Sequence, residues 1–89
     1  MKELKVVVKE IKDHCGAKLK VGDTFYITGR GKVRIPDNKE TCIYALGAMI
    51  PFLTTKQMEE HLPKGEWVPE TSELVCPDPD GVVFEIKSV

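Results

Sequence analysis

Three cysteines are the residues of this chain with the greatest potential for chemistry. Cys15, Cys42 and Cys76 lie far apart in the sequence, and thiols act both as nucleophiles and as ligands for soft metals. His14 directly precedes the first cysteine, and Asp78 follows the last one in a turn rich in proline and aspartate. Together these five residues predict a cysteine-centred ligand-binding site, provided that folding brings their segments together.

One interpretation of this set is a metal site. Thiolate and imidazole are ligands of tetrahedral zinc, so Cys15, Cys42, Cys76 and His14 are candidate ligands of a zinc ion. Structural zinc sites usually contain Cys-x-x-Cys pairs, and the sequence has none. Zinc is therefore predicted from residue type rather than from spacing.

Two other interpretations stay open. In a small cysteine-dependent enzyme, His14 or His61 would act as base for an activated thiol, which requires thiol and imidazole within about 2.6–3.2 Å. His14 and Cys15 are neighbours in the chain, and neighbouring side chains point apart on an extended backbone. In a protein-interaction or assembly module, the cysteines would only pack in the core as small hydrophobic residues. The sequence assigns neither a catalytic residue nor the identity of a ligand.

The composition favours a globular protein and argues against a membrane or nucleic-acid-binding protein. The chain has 89 residues, of which 42% are hydrophobic and 30% charged, which predicts a single globular domain over residues 1–89. A formal net charge of -1 provides no overall attraction to nucleic acid or to anionic lipid. No window approaches the roughly 20 apolar residues of a membrane helix. With no apolar leader and an odd number of cysteines, we expect a cytoplasmic protein.

Alternating β-branched and aromatic residues predict strands at residues 4–12, 24–28 and 32–35, and a hairpin at 73–76 and 82–87. If the last strand pairs antiparallel with the first, the segment of His14 and Cys15 lies beside Cys76. The fold class predicted is α+β, with a small, mainly antiparallel sheet packed against one long apolar helix and one short helix.

The long helix is predicted from a capping box and an apolar period. Asp37 and Glu40 fit the capping box, so the helix is expected to start at Asp37. Residues 41–55 carry no charge. Apolar residues recur there at the spacing of one helix face, namely Cys42, Leu46, Met49 and Leu53.

Pro51 is expected to end or kink this helix, and a short amphipathic helix is expected to follow over residues 54–62. The long helix is apolar nearly all round, which indicates a central core helix that a second subunit also covers in part. The sequence therefore predicts a candidate homodimer through residues 41–53.

Several short motifs together resemble a family of small prokaryotic proteins of about this length, for which no activity is established. The motifs are His14-Cys15-Gly16, Lys20-Val21-Gly22-Asp23-Thr24-Phe25, Cys42 in a helix that runs into Pro51, Cys76-Pro77-Asp78-Pro79 and Val83-Phe84-Glu85. The resemblance implies a stand-alone domain with a shared thiol site. The chain departs from the pattern at residues 17–19 and at Val75, where a further cysteine sometimes stands, so a site of four thiolates is not implied.

Overall fold

The computed structural model describes residues 3–16, 18–29, 31–38, 40–63, 65, 67–77 and 81–89. Within these residues the chain forms five strands and one α-helix. In chain order they are β1 (Leu4–Ile11), β2 (Thr24–Thr28), β3 (Lys32–Arg34), α1 (Ile43–Gln57), β4 (Glu73–Val75) and β5 (Val82–Ser88). Short 3-10 turns occur at Pro36–Asn38, Glu59–His61 and Val68–Glu70.

The strands form one antiparallel sheet in the order β3-β2-β1-β5-β4. The last strand pairs antiparallel with the first, which is the condition on which the cysteine site depended, with Leu4 opposite Ser88 and Ile11 opposite Val82. Beyond the last pair, the Lys12 amide donates to the Gly81 carbonyl at 2.9 Å. The end of β1 and the start of β5 therefore lie side by side.

Alternation along the strands buries one face of the sheet. Leu4, Val6 and Val8 of β1 point to this face and are buried. Helix α1 covers the face with buried side chains spaced four residues apart: Ala45, Met49 and Leu53. The result is a two-layer α+β domain with its core between sheet and helix, as the sequence predicted.

The predicted start of the helix is wrong. Helix α1 begins at Ile43 with Cys42 as its N-cap, whereas Asp37 lies in a 3-10 turn with φ 61 and ψ 28. An N-cap residue needs an extended backbone, and Asp37 instead adopts the left-handed conformation that aspartate tolerates in turns. Asp37 therefore belongs to the turn before the helix rather than to a capping box.

Of the two outcomes predicted at Pro51, an end or a kink of the helix, the end is wrong, because α1 continues through Pro51 to Gln57. Proline removes the amide that would bond to the carbonyl of residue 47. Pro51 and Gly47 both lie on the exposed face, where water can replace that donor. The Thr55 hydroxyl donates to the Pro51 carbonyl at 2.9 Å in the next turn. The predicted second helix is the last part of α1 followed by the 3-10 turn at Glu59–His61.

The end of α1 is anchored to the following loop. The buried Lys56 ammonium donates to Glu59 at 3.1 Å and to the Val68 carbonyl at 3.3 Å. Trp67 is mostly exposed and stacks on Phe52 with ring centroids 5.6 Å apart. In the described part of the chain, no helix is long and apolar enough to cross a membrane.

Candidate functional site

Three separate chain segments meet at one end of the sheet and enclose a cleft of about 730 Å³. The segments are the loop after β1, the start of α1 and the connection between β4 and β5. The pairing of β1 with β5 brings the first and third segments together, and α1 packs across them. Cys15, Cys42, Cys76 and His14 all line this cleft.

Cys76 is held in the cleft wall by the hairpin. Its amide donates to the Val82 carbonyl at 3.0 Å, and the Val82 amide donates to Cys76 Sγ at 3.2 Å. A backbone hydrogen bond and a hydrogen bond to sulfur thus both join Cys76 to Val82. The thiol of Cys76 occupies a defined place at the start of β5.

Cys42 is placed by the start of α1. As the N-cap it has an extended backbone, with φ -87 and ψ 121, and its carbonyl accepts from the Leu46 amide at 3.0 Å. Its side chain makes no capping hydrogen bond. The first helical residues, Ile43, Tyr44 and Ala45, line the cleft beside it. The helix N-terminus therefore forms one wall.

Cys15 and His14 form the opposite wall in the loop after β1. The Cys15 carbonyl accepts from the Lys18 amide at 2.9 Å, which closes a turn, and the Cys15 side chain packs in part against the core. His14 Nδ1 lies 3.1 Å from Asp13 Oδ2, and both side chains are exposed. His14 therefore stands at the cleft's solvent edge, with its ring oriented by the carboxylate.

The remaining walls of the cleft are mainly apolar. They include four buried side chains of the core: Leu19, Ala45, Val82 and Phe84. Among the described residues that line it, none is a lysine, arginine, aspartate or glutamate. A cleft of this size and lining suits a small, largely apolar molecule.

Four of the five predicted site residues share this cleft, and Asp78 lies outside the described residues. All three cysteines are described, and none forms a disulfide. Over the described ranges, no group of three or more His, Cys, Asp or Glu side chains is placed to hold a metal ion together. The cysteines therefore border one cleft without forming an assembled ligand cluster.

His61, the second candidate base, does not line the cleft. It lies in the 3-10 turn after α1, with its Nε2 3.9 Å from Glu60 Oε1 and its side chain exposed. Because the cysteines adjoin the other end of α1, a thiol–imidazole pair that uses His61 is not formed.

Sequence reasoning missed the apolar walls of the cleft. Leu19 follows a segment with no regular pattern, so its sequence does not indicate burial. The pattern around Phe84 predicts a strand but does not indicate that the side chain lines a cleft. The helix pattern gives no signal for Ile43 and Tyr44 either, because their exposure, 74% and 78%, depends on how α1 lies on the sheet. Both line the cleft.

Comparison of the chain with protein-family models, with curated proteins and with solved structures gave no match. The resemblance drawn from the cysteine motifs therefore stays a prediction, and the function has to be argued from the cleft.

Proposed function

We propose that this protein is a small ligand-binding module whose site is the cysteine-lined cleft. The observation that carries the proposal is that Cys15, Cys42 and Cys76, from three remote segments, line one cleft together with His14. The volume of about 730 Å³ falls in the range of small-molecule sites, roughly 300–1,000 Å³. The ligand class that fits is a small molecule with a mainly apolar surface.

The thiols suit such a ligand because sulfur is polarisable and packs well against aromatic and unsaturated groups. His14 supplies a polar contact at the edge, where one polar group of the ligand would remain near solvent. A cytoplasmic location belongs to the same proposal, because a reducing compartment keeps thiols reduced.

Zinc is the alternative ligand for the same residues. Binding it would require Cys15, Cys42, Cys76 and His14 to close around the ion from their places along the cleft. Elemental analysis of protein refolded with zinc decides this point. A stoichiometric zinc content supports the metal form of the proposal, and a content well below one ion per chain rejects it.

The proposal that the ligand is apolar is tested by asking whether a bound apolar molecule protects the three thiols from alkylation. The probe is the neutral dye Nile red, and the rate of alkylation by iodoacetamide is measured for each cysteine by peptide mass spectrometry. We expect the dye to slow alkylation of Cys15, Cys42 and Cys76 together. Ser72→Cys provides a matched control, because Ser72 is exposed and does not line the cleft. Its introduced thiol should react at the same rate with and without dye.

Two results would count against this proposal. The first is that the dye leaves all three native rates unchanged at concentrations that saturate its fluorescence. The second is that it slows the introduced thiol of the Ser72→Cys control as much as the native thiols, since that indicates nonspecific coating of the surface.

A further inference from the structure

The nucleophilic side chains in the walls of the cleft are mainly thiols. Cys15, Cys42 and Cys76 come from three walls, and no lysine is among the described residues that line the cleft. A thiol is a soft nucleophile that adds to an electron-poor carbon–carbon double bond, whereas a lysine amine would condense with a carbonyl group. The cleft therefore contains the nucleophile with which an α,β-unsaturated carbonyl compound reacts.

Among these cysteines, Cys76 has a sulfur atom that a backbone contact holds in place. The Val82 amide donates to Cys76 Sγ at 3.2 Å. Cys76 is half-buried, and Val82 beside it is buried. The Cys42 side chain, in contrast, makes no capping hydrogen bond. A reacting atom that is already in place loses less orientational freedom when it attacks a molecule bound beside it. Cys76 is therefore the expected site of addition.

The walls near Cys76 suit an alkyl chain with one polar end. Leu19, Val82 and Phe84 are buried and line the same cleft, whereas His14 lies at its solvent edge with an exposed side chain. An alkyl chain would lie along the buried walls, and a carbonyl oxygen would face the edge, where it stays hydrated. An unsaturated ketone or aldehyde with an alkyl chain has this distribution of polar and apolar atoms.

We propose that the cleft captures apolar α,β-unsaturated carbonyl compounds covalently, by addition of the Cys76 thiol. This inference rests on the proposed function, because it names the ligand class of the same cleft. In the addition, sulfur forms a bond to the β-carbon, the carbon–carbon double bond becomes a single bond, and the α-carbon gains one proton as the thiol loses one. The adduct contains every atom of both reactants, so the step needs no oxidant, reductant or leaving group.

The test compares two reagents that share one reactive group, methyl vinyl ketone and pentyl vinyl ketone. The rate of adduct formation at each cysteine of the folded full chain is measured by peptide mass spectrometry. Ser72→Cys supplies the matched control thiol, because Ser72 is exposed and does not line the cleft, and circular dichroism checks that the variant is folded. The quantity compared is the ratio of the pentyl rate to the methyl rate, since this ratio cancels differences in reactivity between thiols.

We expect this ratio to be at least about tenfold larger at Cys76 than at the introduced thiol of the Ser72→Cys variant, because the four additional methylenes of the pentyl chain are buried in part within the cleft. The proposal is overturned if the two ratios are equal, or if the pentyl chain favours addition to Cys15 or Cys42 but not to Cys76. Protection by Nile red is measured separately with iodoacetamide. Equal ratios together with dye protection therefore overturn this proposal alone, whereas equal ratios without dye protection overturn the proposed function as well.

Discussion

The amide of Val82 donates a hydrogen bond to Sγ of Cys76 at 3.2 Å, while the Cys76 amide donates to the Val82 carbonyl at 3.0 Å. One side chain at the cleft wall thus closes the hairpin between β4 and β5. Cys76 has a structural contact in addition to its place in the proposed binding site. Substitutions of Cys76 can distinguish its structural role from its role in ligand binding.

Cys76→Ala should destabilise the protein by about 1 kcal/mol, because the buried Val82 loses the sulfur acceptor of its amide. Cys76→Ser keeps an acceptor at a similar position and should cost less. Urea unfolding followed by circular dichroism measures both. Equal losses for the two variants would show that the hydrogen bond to sulfur contributes nothing measurable.

The core between α1 and the sheet should dominate stability. Leu53 is 1% exposed and packs in the central cluster, so Leu53→Ala should cost about 2–5 kcal/mol. Ile43→Ala removes an apolar group of similar size from an exposed position on the same helix, and should cost under about 1 kcal/mol in the dilute monomer. If the two variants unfold at the same urea concentration, α1 does not pack on the sheet through this face.

Removing only one partner of the ion pair between Lys56 and Glu59 should lower the stability of the fold. Both side chains are nearly buried, and the ammonium also donates to two carbonyls, those of Val68 and Pro69. Lys56→Met should cost about 3–5 kcal/mol, because it removes one partner of a nearly buried ion pair and also the hydrogen bonds that the ammonium donates to the two carbonyls. Adding Glu59→Gln should recover part of that loss. If the double variant loses as much free energy of unfolding as the two single variants together, the two residues are not coupled.

The exposed pair of Lys9 with Glu73 should give a small, pH-dependent contribution. The hydrogen bond to Glu73 raises the pKa of Lys9 above its ordinary value of 10.5, with the charge of Glu73 adding to the effect. Because the folded-state pKa is the higher one, this stabilisation is fully present below 10.5 and is lost as the pH rises through the folded-state value.

The comparison that checks this contribution is wild type against Lys9→Met in thermal unfolding. Wild type should have the higher Tm at neutral pH, and the difference should shrink with added salt. It should disappear at a pH above the folded-state pKa of Lys9. A difference that grows in that alkaline range would have the wrong sign for this pair.

The elements with regular patterns were predictable from sequence. The alternation at Leu4, Val6 and Val8 specified β1, and the aromatic and β-branched residues of Thr24–Thr28 specified β2 with its observed bounds. The apolar period through Met49 and Leu53 identified the buried face of α1. These patterns are local, and burial in the fold reinforces them.

The ends of the helix depended on information that local patterns do not hold. Aspartate is a residue type that often caps helices, but the backbone of Asp37 is left-handed. Pro51 is tolerated inside the helix because it lies on the exposed side of α1. The cleft depends on the register between β1 and β5. The residue types identified the cysteines and His14 as candidate site residues. Only the long-range pairing of the strands determined that they line one cleft.

The central claim is that cysteines from three remote segments face the same cleft, and intramolecular crosslinking tests it most directly. Dilute folded protein is treated with 1,3-dichloroacetone, which joins two thiols through a three-carbon bridge, and the products are mapped by peptide mass spectrometry. Unfolded protein in urea is the control. We predict bridges within single chains between at least two of Cys15, Cys42 and Cys76, at yields well above the control. Folded protein that gives only single adducts, or bridges no more often than unfolded chains, would contradict the account.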